Sequence, residues 1–242
     1  MRDYKEETAR RVEFIRAVLE DAKASGIVFG NSGGKDCALA GILCKKACEN
    51  TLSLLLPCGV RRNYDEDARD ARALADMFGI ESRTVDIVSV KAALSALLGE
   101  VTAITAAASA NITPRLRMTA LYACAASENR LVCGTGNKSE RYVGYFTKWG
   151  DGAYDFNPIA DLTASEVLEF LRFLGAPEAI LAKAPSAALT EGQTDEAEMG
   201  ISYADLDRFL LTGQAAPNVR ARAEALHRAS AHKRRGVPMY GE

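Results

Sequence analysis

The chain has 242 residues, 48% of them hydrophobic, and a formal net charge of −2. It is long enough to bury one sizeable core and too nearly neutral for a polybasic binder of nucleic acid. Its longest apolar stretches, Thr51 to Val60 and Ala92 to Ala110, are broken by Pro57, Gly59, Gly99 and Glu100, well short of the roughly 20 apolar residues that a membrane span needs. The charged start, with Arg2, Asp3, Lys5, Glu6 and Glu7, lacks the apolar core of a secretory signal. The six cysteines are scattered rather than gathered into a disulfide scaffold. Together these features lead to the expectation of one cytoplasmic domain over residues 1–242 that contacts neither membrane nor nucleic acid.

Apolar residues recur at helical spacing from Tyr4 to Lys23, so the chain should open with an amphipathic helix stopped at Gly26. Gly26 to Gly30 reads as a short buried strand, Asn31 to Gly34 as a loop, and Cys37 to Ala47 as the following helix. The same rhythm continues with a strand at Leu52 to Leu56, a helix at Asp65 to Phe78 and a strand at Glu81 to Ile87. Strands alternating with helices predict an α/β fold: a doubly wound, Rossmann-like parallel sheet flanked by helices. A helix is expected from Val90 to about Leu98, and another opening at Thr113-Pro114, where threonine can cap and proline suits the first helical position. Leu131 to Cys133 reads as a further strand, and Gly134-Thr135-Gly136-Asn137 as a second glycine-bearing turn at its carboxyl end. In doubly wound sheets that edge is where ligands bind. Thr163 to Glu166 has the pattern of a capping box opening a helix. Pro185 to Gln193 reads as a mobile loop, after which Tyr203 to Leu211 and Asn218 to Ala229 resume helical spacing. Cys44 and Cys48, four apart on one helix face, read as buried thiols, because zinc sites usually take two such pairs. The basic run His232 to Arg235 would by default be a solvated tail.

The segment Ser32-Gly33-Gly34-Lys35-Asp36-Cys37 follows a strand and opens a helix, which aims backbone N–H groups and the positive end of the helix dipole at one small volume. That volume suits phosphate. The glycines let the backbone approach an anion, and Ser32 can donate a hydroxyl hydrogen bond. Asp36 would repel phosphate unless a Mg²⁺ ion stood between them. The spacing differs from the P-loop of kinases and GTPases.

This loop resembles the Ser-Gly-Gly-x-Asp-Ser loop of the N-type ATP pyrophosphatases, a superfamily that includes NAD, GMP and asparagine synthetases and several tRNA-modifying enzymes. The later segments narrow the choice: Pro114 to Met118, Gly134 to Glu140, Gly144 to Gly152, Asp155 to Pro158, Lys183 to Ala187, Gln193 to Glu196, and His232 to Arg234. In this order they resemble the ammonia-dependent NAD synthetases over nearly the whole chain, Gly26 to Arg235. The resemblance implies amidation of deamido-NAD with ATP and free ammonia, through an acyl-adenylate, with release of AMP and pyrophosphate. It implies that Gly30, Asn31, Ser32, Gly33, Gly34, Lys35, Asp36 and Cys37, with Thr135 and Ser186, bind ATP, and that Asp36 and Glu140 hold Mg²⁺ as the catalytic pair. It assigns deamido-NAD to Arg115, Lys148, Asp155, His232 and Lys233, and it implies a homodimer.

Two departures stand out. Cys37 replaces the serine of many relatives, which weakens one phosphate hydrogen bond or creates a reactive thiol. Ala164 stands where many relatives carry an ATP-binding lysine, and Lys35 is the candidate to replace that charge. Two other readings compete. A tRNA-modifying relative should show a basic stripe or an added RNA-binding domain, and neither is visible. A non-catalytic nucleotide sensor could keep the glycines but lose the metal carboxylates, whereas Asp36 and Glu140 are both present.

Overall fold

The computed structural model describes residues 2–183 and 194–241, apart from the side chain of Arg62. The expected loop from Pro185 to Gln193, and Ser186 with it, lies outside the described residues. The strands are β1 (Gly26–Gly30), β2 (Thr51–Leu55), β3 (Glu81–Thr84) and β4 (Arg130–Cys133), forming one parallel sheet in the order β3-β2-β1-β4. The N-terminal half of the chain contributes α1 (Tyr4–Ala22), α2 (Lys35–Ala47), α3 (Arg61–Tyr64), α4 (Glu66–Phe78), α5 (Val88–Gly99) and α6 (Ala106–Glu128). The remainder contributes α7 (Lys138–Val143), α8 (Ala164–Phe173), α9 (Glu178–Leu181), α10 (Asp195–Met199), α11 (Tyr203–Thr212), α12 (Pro217–Ala229) and α13 (Ala231–Arg234).

Alternation along β1 sends side chains to opposite faces of the sheet. Ile27 and Phe29 enter a core with Ile15, Leu39, Leu43, Leu74 and Phe170, so α1, α2, α4 and α8 cover that face. Val28 enters the opposite core with Leu52, Leu54, Ala125 and Val132, beneath α6. Helices therefore lie on both faces, as a doubly wound sheet requires. The chain leaves β1 for β2 on one side and later returns to β4 on the other. Strand order thus reverses between β1 and β4, which opens a crevice beyond their carboxyl ends.

Two local expectations need correction. The long helix does not open at Thr113-Pro114. It begins at Ala106, capped by Thr105, whose hydroxyl accepts from the Ala108 N–H at 3.2 Å, and it carries Pro114 in its interior. A sequence reading takes proline as a start signal, but here the Thr105 cap sets the start. The third strand stops at Thr84, and its residues are all exposed at the sheet edge. The basic C-terminal run forms α13, as its assignment to the site requires of an ordered segment, and Lys233 Nζ donates to the carbonyls of Gly144 and Phe146 at 2.7 and 2.6 Å. The capping box is present as expected: the Thr163 N–H donates to Glu166 Oε2 at 2.8 Å, and the Glu166 N–H donates to the Thr163 hydroxyl at 3.3 Å.

Candidate active site

The loop after β1 is shaped by Asn31. Its Oδ1 accepts from the Gly33 N–H at 3.0 Å while its Nδ2 donates to Ser53 Oγ at 3.0 Å, which pins the turn to β2. Gly33 adopts φ +70, and a Cβ there would lie 2.3 Å from the Asp67 carbonyl oxygen, so only glycine fits. Gly34 then caps α2 with no side-chain bond, leaving the first N–H groups of the helix free for an anion. Lys183 Nζ locks the outside of the loop, bonding Asp67 at 2.7 Å, Asp70 at 2.9 Å and the Gly33 carbonyl at 3.2 Å. Burial pushes the Asp70 carboxyl up, but Lys183 and Arg69 outweigh it and hold it below its ordinary range.

The loop after β4 meets the first one through Asn137, which is fully buried. Asn137 Nδ2 donates to Asp36 Oδ1 at 2.9 Å, its Oδ1 accepts from the Glu140 N–H at 3.0 Å, and its own N–H donates to Glu140 Oε2 at 2.9 Å. One residue thus contacts both expected metal carboxylates, Asp36 through its side-chain amide and Glu140 through its backbone N–H. Burial pushes the Glu140 carboxyl well up, and the neighbouring charge of Asp36 adds to this against the pull of Lys35. Two carboxylates crowded in this way suit a cation. Mg²⁺ usually takes one or two carboxylates and completes its shell with phosphate oxygens and water. The described residues contain no group of three His, Cys, Asp or Glu that could hold a metal ion.

Lys35 is 5% exposed, and its ammonium lies 2.5 Å from Asp36 Oδ2 and 5.5 Å from the centre of the Tyr203 ring. Burial pushes its pKa down, but Asp36, Glu140 and Asp195 together hold it above the ordinary lysine value. Ala164 packs in the same buried cluster as Tyr203. Cys37 is buried with Sγ 3.3 Å from Ser32 Oγ, and burial pushes the thiol up. A thiol held protonated is a poor nucleophile, so the reactive-thiol branch of the sequence reading has no support.

Lys35, Asp36, Cys37 and Glu140 line a cavity of about 640 Å³, together with Gly30, Thr135, Arg117 and Lys233, among others. Of the residues expected to bind deamido-NAD, Lys233 reaches this cavity, whereas Arg115, Lys148, Asp155 and His232 do not line it. Arg115 Nη2 donates to the Lys148 carbonyl at 3.3 Å, and Lys148 Nζ donates to the His232 carbonyl at 3.0 Å. Asp155 accepts from the Tyr122 hydroxyl at 3.1 Å and from the Val132 N–H at 2.7 Å.

The NAD synthase family model matches residues 7–236. The chain belongs to the NAD synthase family. It is similar to the NH(3)-dependent NAD(+) synthetase of Carboxydothermus hydrogenoformans, with 45% identity across 98% of each chain. Among solved structures it resembles NMN synthetase from Francisella tularensis at 38% identity, with a TM-score of 0.94 and coverage of 100% of both chains. It also resembles the NH3-dependent NAD synthetase of Campylobacter jejuni at 30% identity, with a TM-score of 0.81 and coverage of 99% of both.

Two residues of this NAD synthase site were not assigned a role from the sequence. Asn137 could have been found, because Asn-x-x-Glu before a helix is a capping-box pattern. Arg117 could have been weighed against Arg115, since residues two apart on a helix point about 200° apart and only one can face the site. The structure turns Arg117 inward. It donates to the Leu56 carbonyl at 3.0 Å and to Asn63 Oδ1 at 3.3 Å, both neutral acceptors, and burial pushes its pKa down. A guanidinium held this way keeps charge available for an anionic ligand.

Proposed function

We propose that this NAD synthase family chain amidates the nicotinate carboxylate of deamido-NAD with ATP and free ammonia, acting as one domain over residues 1–242. The observation that carries this reading is the meeting of the two glycine loops at the β1/β4 crevice, with Asp36 and Glu140 joined through Asn137. A carboxylate resists nucleophiles because it is negatively charged and lacks a leaving group. Its oxygen attacks the α-phosphorus of ATP, the α–β P–O bond breaks, and pyrophosphate leaves. Ammonia then attacks the acyl carbon of the adenylate, the C–O bond to AMP breaks, and a proton passes to solvent. The loop from Gly30 to Cys37, with Thr135, cradles the phosphates, and the free N–H groups of α2 stabilise charge on the leaving group. Mg²⁺ held by Asp36 and Glu140 would neutralise pyrophosphate as it departs. Arg117 and Lys233 take anionic groups of the acceptor inside the cavity, while Arg115, Lys148, Asp155 and His232 serve its outer part.

The test is direct: protein, ATP, Mg²⁺, ammonium and deamido-NAD should give NAD, AMP and pyrophosphate in equal amounts. Formation of ADP and inorganic phosphate would overturn the reading.

A second acceptor follows from a specific observation. The likeness to the Francisella tularensis NMN synthetase has the higher TM-score of the two structures compared, 0.94 against 0.81. The same chemistry yields NMN from nicotinate mononucleotide, whose single phosphate needs only the cavity cations. Parallel assays with both acceptors at equal concentration rank them by kcat/KM.

The assembly is a homodimer in which α5 and α6 face a second copy. No residue of α5 is buried within the chain, and Val88, Val90, Leu94 and Leu97 are exposed along it. An apolar helix left uncovered in this way suits a subunit interface. All six cysteines are free, which supports a cytoplasmic setting.

A further inference from the structure

Lys35 stands at the first position of α2, where exposed N–H groups and the helix dipole disfavour a cation. It is also almost wholly buried, which lysine rarely is unless paired. Its partner is the adjacent residue, Asp36. Neighbours on a helix diverge by about 100°, so this bond forms only because the long lysine stem folds back towards the carboxylate. The ammonium then lies in the field of three carboxylates, Asp36, Glu140 and Asp195, and over the face of Tyr203. Tyr203 in turn donates its hydroxyl to Asp195 Oδ2 at 3.1 Å. The helix terminus works against this placement, and the carboxylates favour it.

We propose that Lys35 is a resident cation. Its ammonium holds Asp36 in place of a divalent ion while the nucleotide site is empty, and it yields that carboxylate only to an ion arriving with nucleotide phosphate. The inference rests on the reading of Asp36 and Glu140 as the Mg²⁺ carboxylates. It makes Lys35 a positioning residue that couples metal entry to nucleotide entry. Asn137 holds the other oxygen of Asp36 at 2.9 Å, so the Lys35 side is the face that must open.

The test is Mn²⁺ binding followed by electron paramagnetic resonance, with no turnover involved, so a failure to make NAD would leave its outcome intact. Wild-type protein should bind Mn²⁺ at least about 10-fold more weakly alone than with a non-hydrolysable ATP analogue, the scale on which supporting groups tune metal sites. Lys35→Met should raise the affinity of the nucleotide-free protein by a similar factor, Lys35→Arg should behave as wild type, and adding Asp36→Asn to Lys35→Met should abolish the gain. A role in packing alone would not move metal affinity upward. Tight Mn²⁺ binding by nucleotide-free wild type would overturn the proposal whether or not the variants fold, and so would a folded Lys35→Met protein with unchanged affinity.

Discussion

Replacing Asn137 by alanine should damage stability and metal use together, because one amide serves both. As the cap of α7 it accepts from the Glu140 N–H, and loss of such a cap costs about 1 kcal/mol. Its Nδ2 also donates to Asp36 Oδ1 at 2.9 Å, and leaving this half-buried carboxylate oxygen without its donor costs at most roughly 1–3 kcal/mol. The sum, at most about 2–4 kcal/mol, is a large part of the stability of an ordinary domain. It should appear as a lower midpoint in urea denaturation. Because Asn137 touches the expected metal carboxylates without itself being one, its loss should also weaken apparent Mg²⁺ affinity in the ATP assay by about 10–100-fold. Asn137→Ser separates the two effects. Serine can cap the helix but is too short to span to Asp36, so stability should recover by about the value of the cap while Mg²⁺ dependence stays impaired. Wild-type metal dependence in Asn137→Ala, or full recovery of it in Asn137→Ser, would refute the argument that this amide orients Asp36.

Asp36→Asn should lower turnover by about 100-fold or more, the scale for losing a stabiliser of transition-state charge; a near-wild-type rate would show that Asp36 holds no metal. Arg117→Met should raise the acceptor KM about 10-fold or more, since a hydrogen bond to a charged group is worth roughly 1.5–3 kcal/mol; an unchanged KM would remove Arg117 from the acceptor site. Under iodoacetamide, the partly exposed Cys48 and Cys124 should be modified before the buried Cys37, as read by peptide mass spectrometry, and equal rates would contradict the buried, protonated thiol. Purified protein should make its amide product with ammonium and not with ammonia-free glutamine, because hydrolysing glutamine needs a cysteine nucleophile with a base beside it; robust synthesis from glutamine by this chain alone would sink the ammonia-dependent assignment.

What the sequence made legible was whatever rests on local signals. The glycine-bounded run from Gly26 to Gly30 announces β1, and the Thr163 to Glu166 pattern announces α8. The start of α6 was misread because Pro114 is a strong local cue and Thr105 a weak one. Taken alone the basic run at α13 reads as a solvated tail, because its partners, the carbonyls of Gly144 and Phe146, are backbone groups that leave no mark in the side-chain pattern, and only the family resemblance assigns His232 and Lys233 to the site. The family resemblance singles out Asp36 and Glu140 in the sequence, but not Asn137 between them, because Asn137 and Asp36 meet only when β1 and β4 become neighbours.

Under the proposed function, the acceptor residues would divide into an inner and an outer set. Arg117 and Lys233 line the cavity because α6 turns one face to the sheet and α13 docks on the segment before Trp149. Arg115 points the other way from the same helix, and it is exposed along with Asp155 and His232. Inner cations can hold the reacting nucleotide whatever its length, since the nicotinate carboxylate must reach the phosphate loop in either acceptor. Outer residues can matter only to an acceptor long enough to extend past the cavity mouth. On that reading, choice between a mononucleotide and a dinucleotide would fall to Arg115 and its neighbours on the outer side of α6, beside the uncovered apolar helix α5, and replacing Arg115 should change the ratio of kcat/KM for the two acceptors.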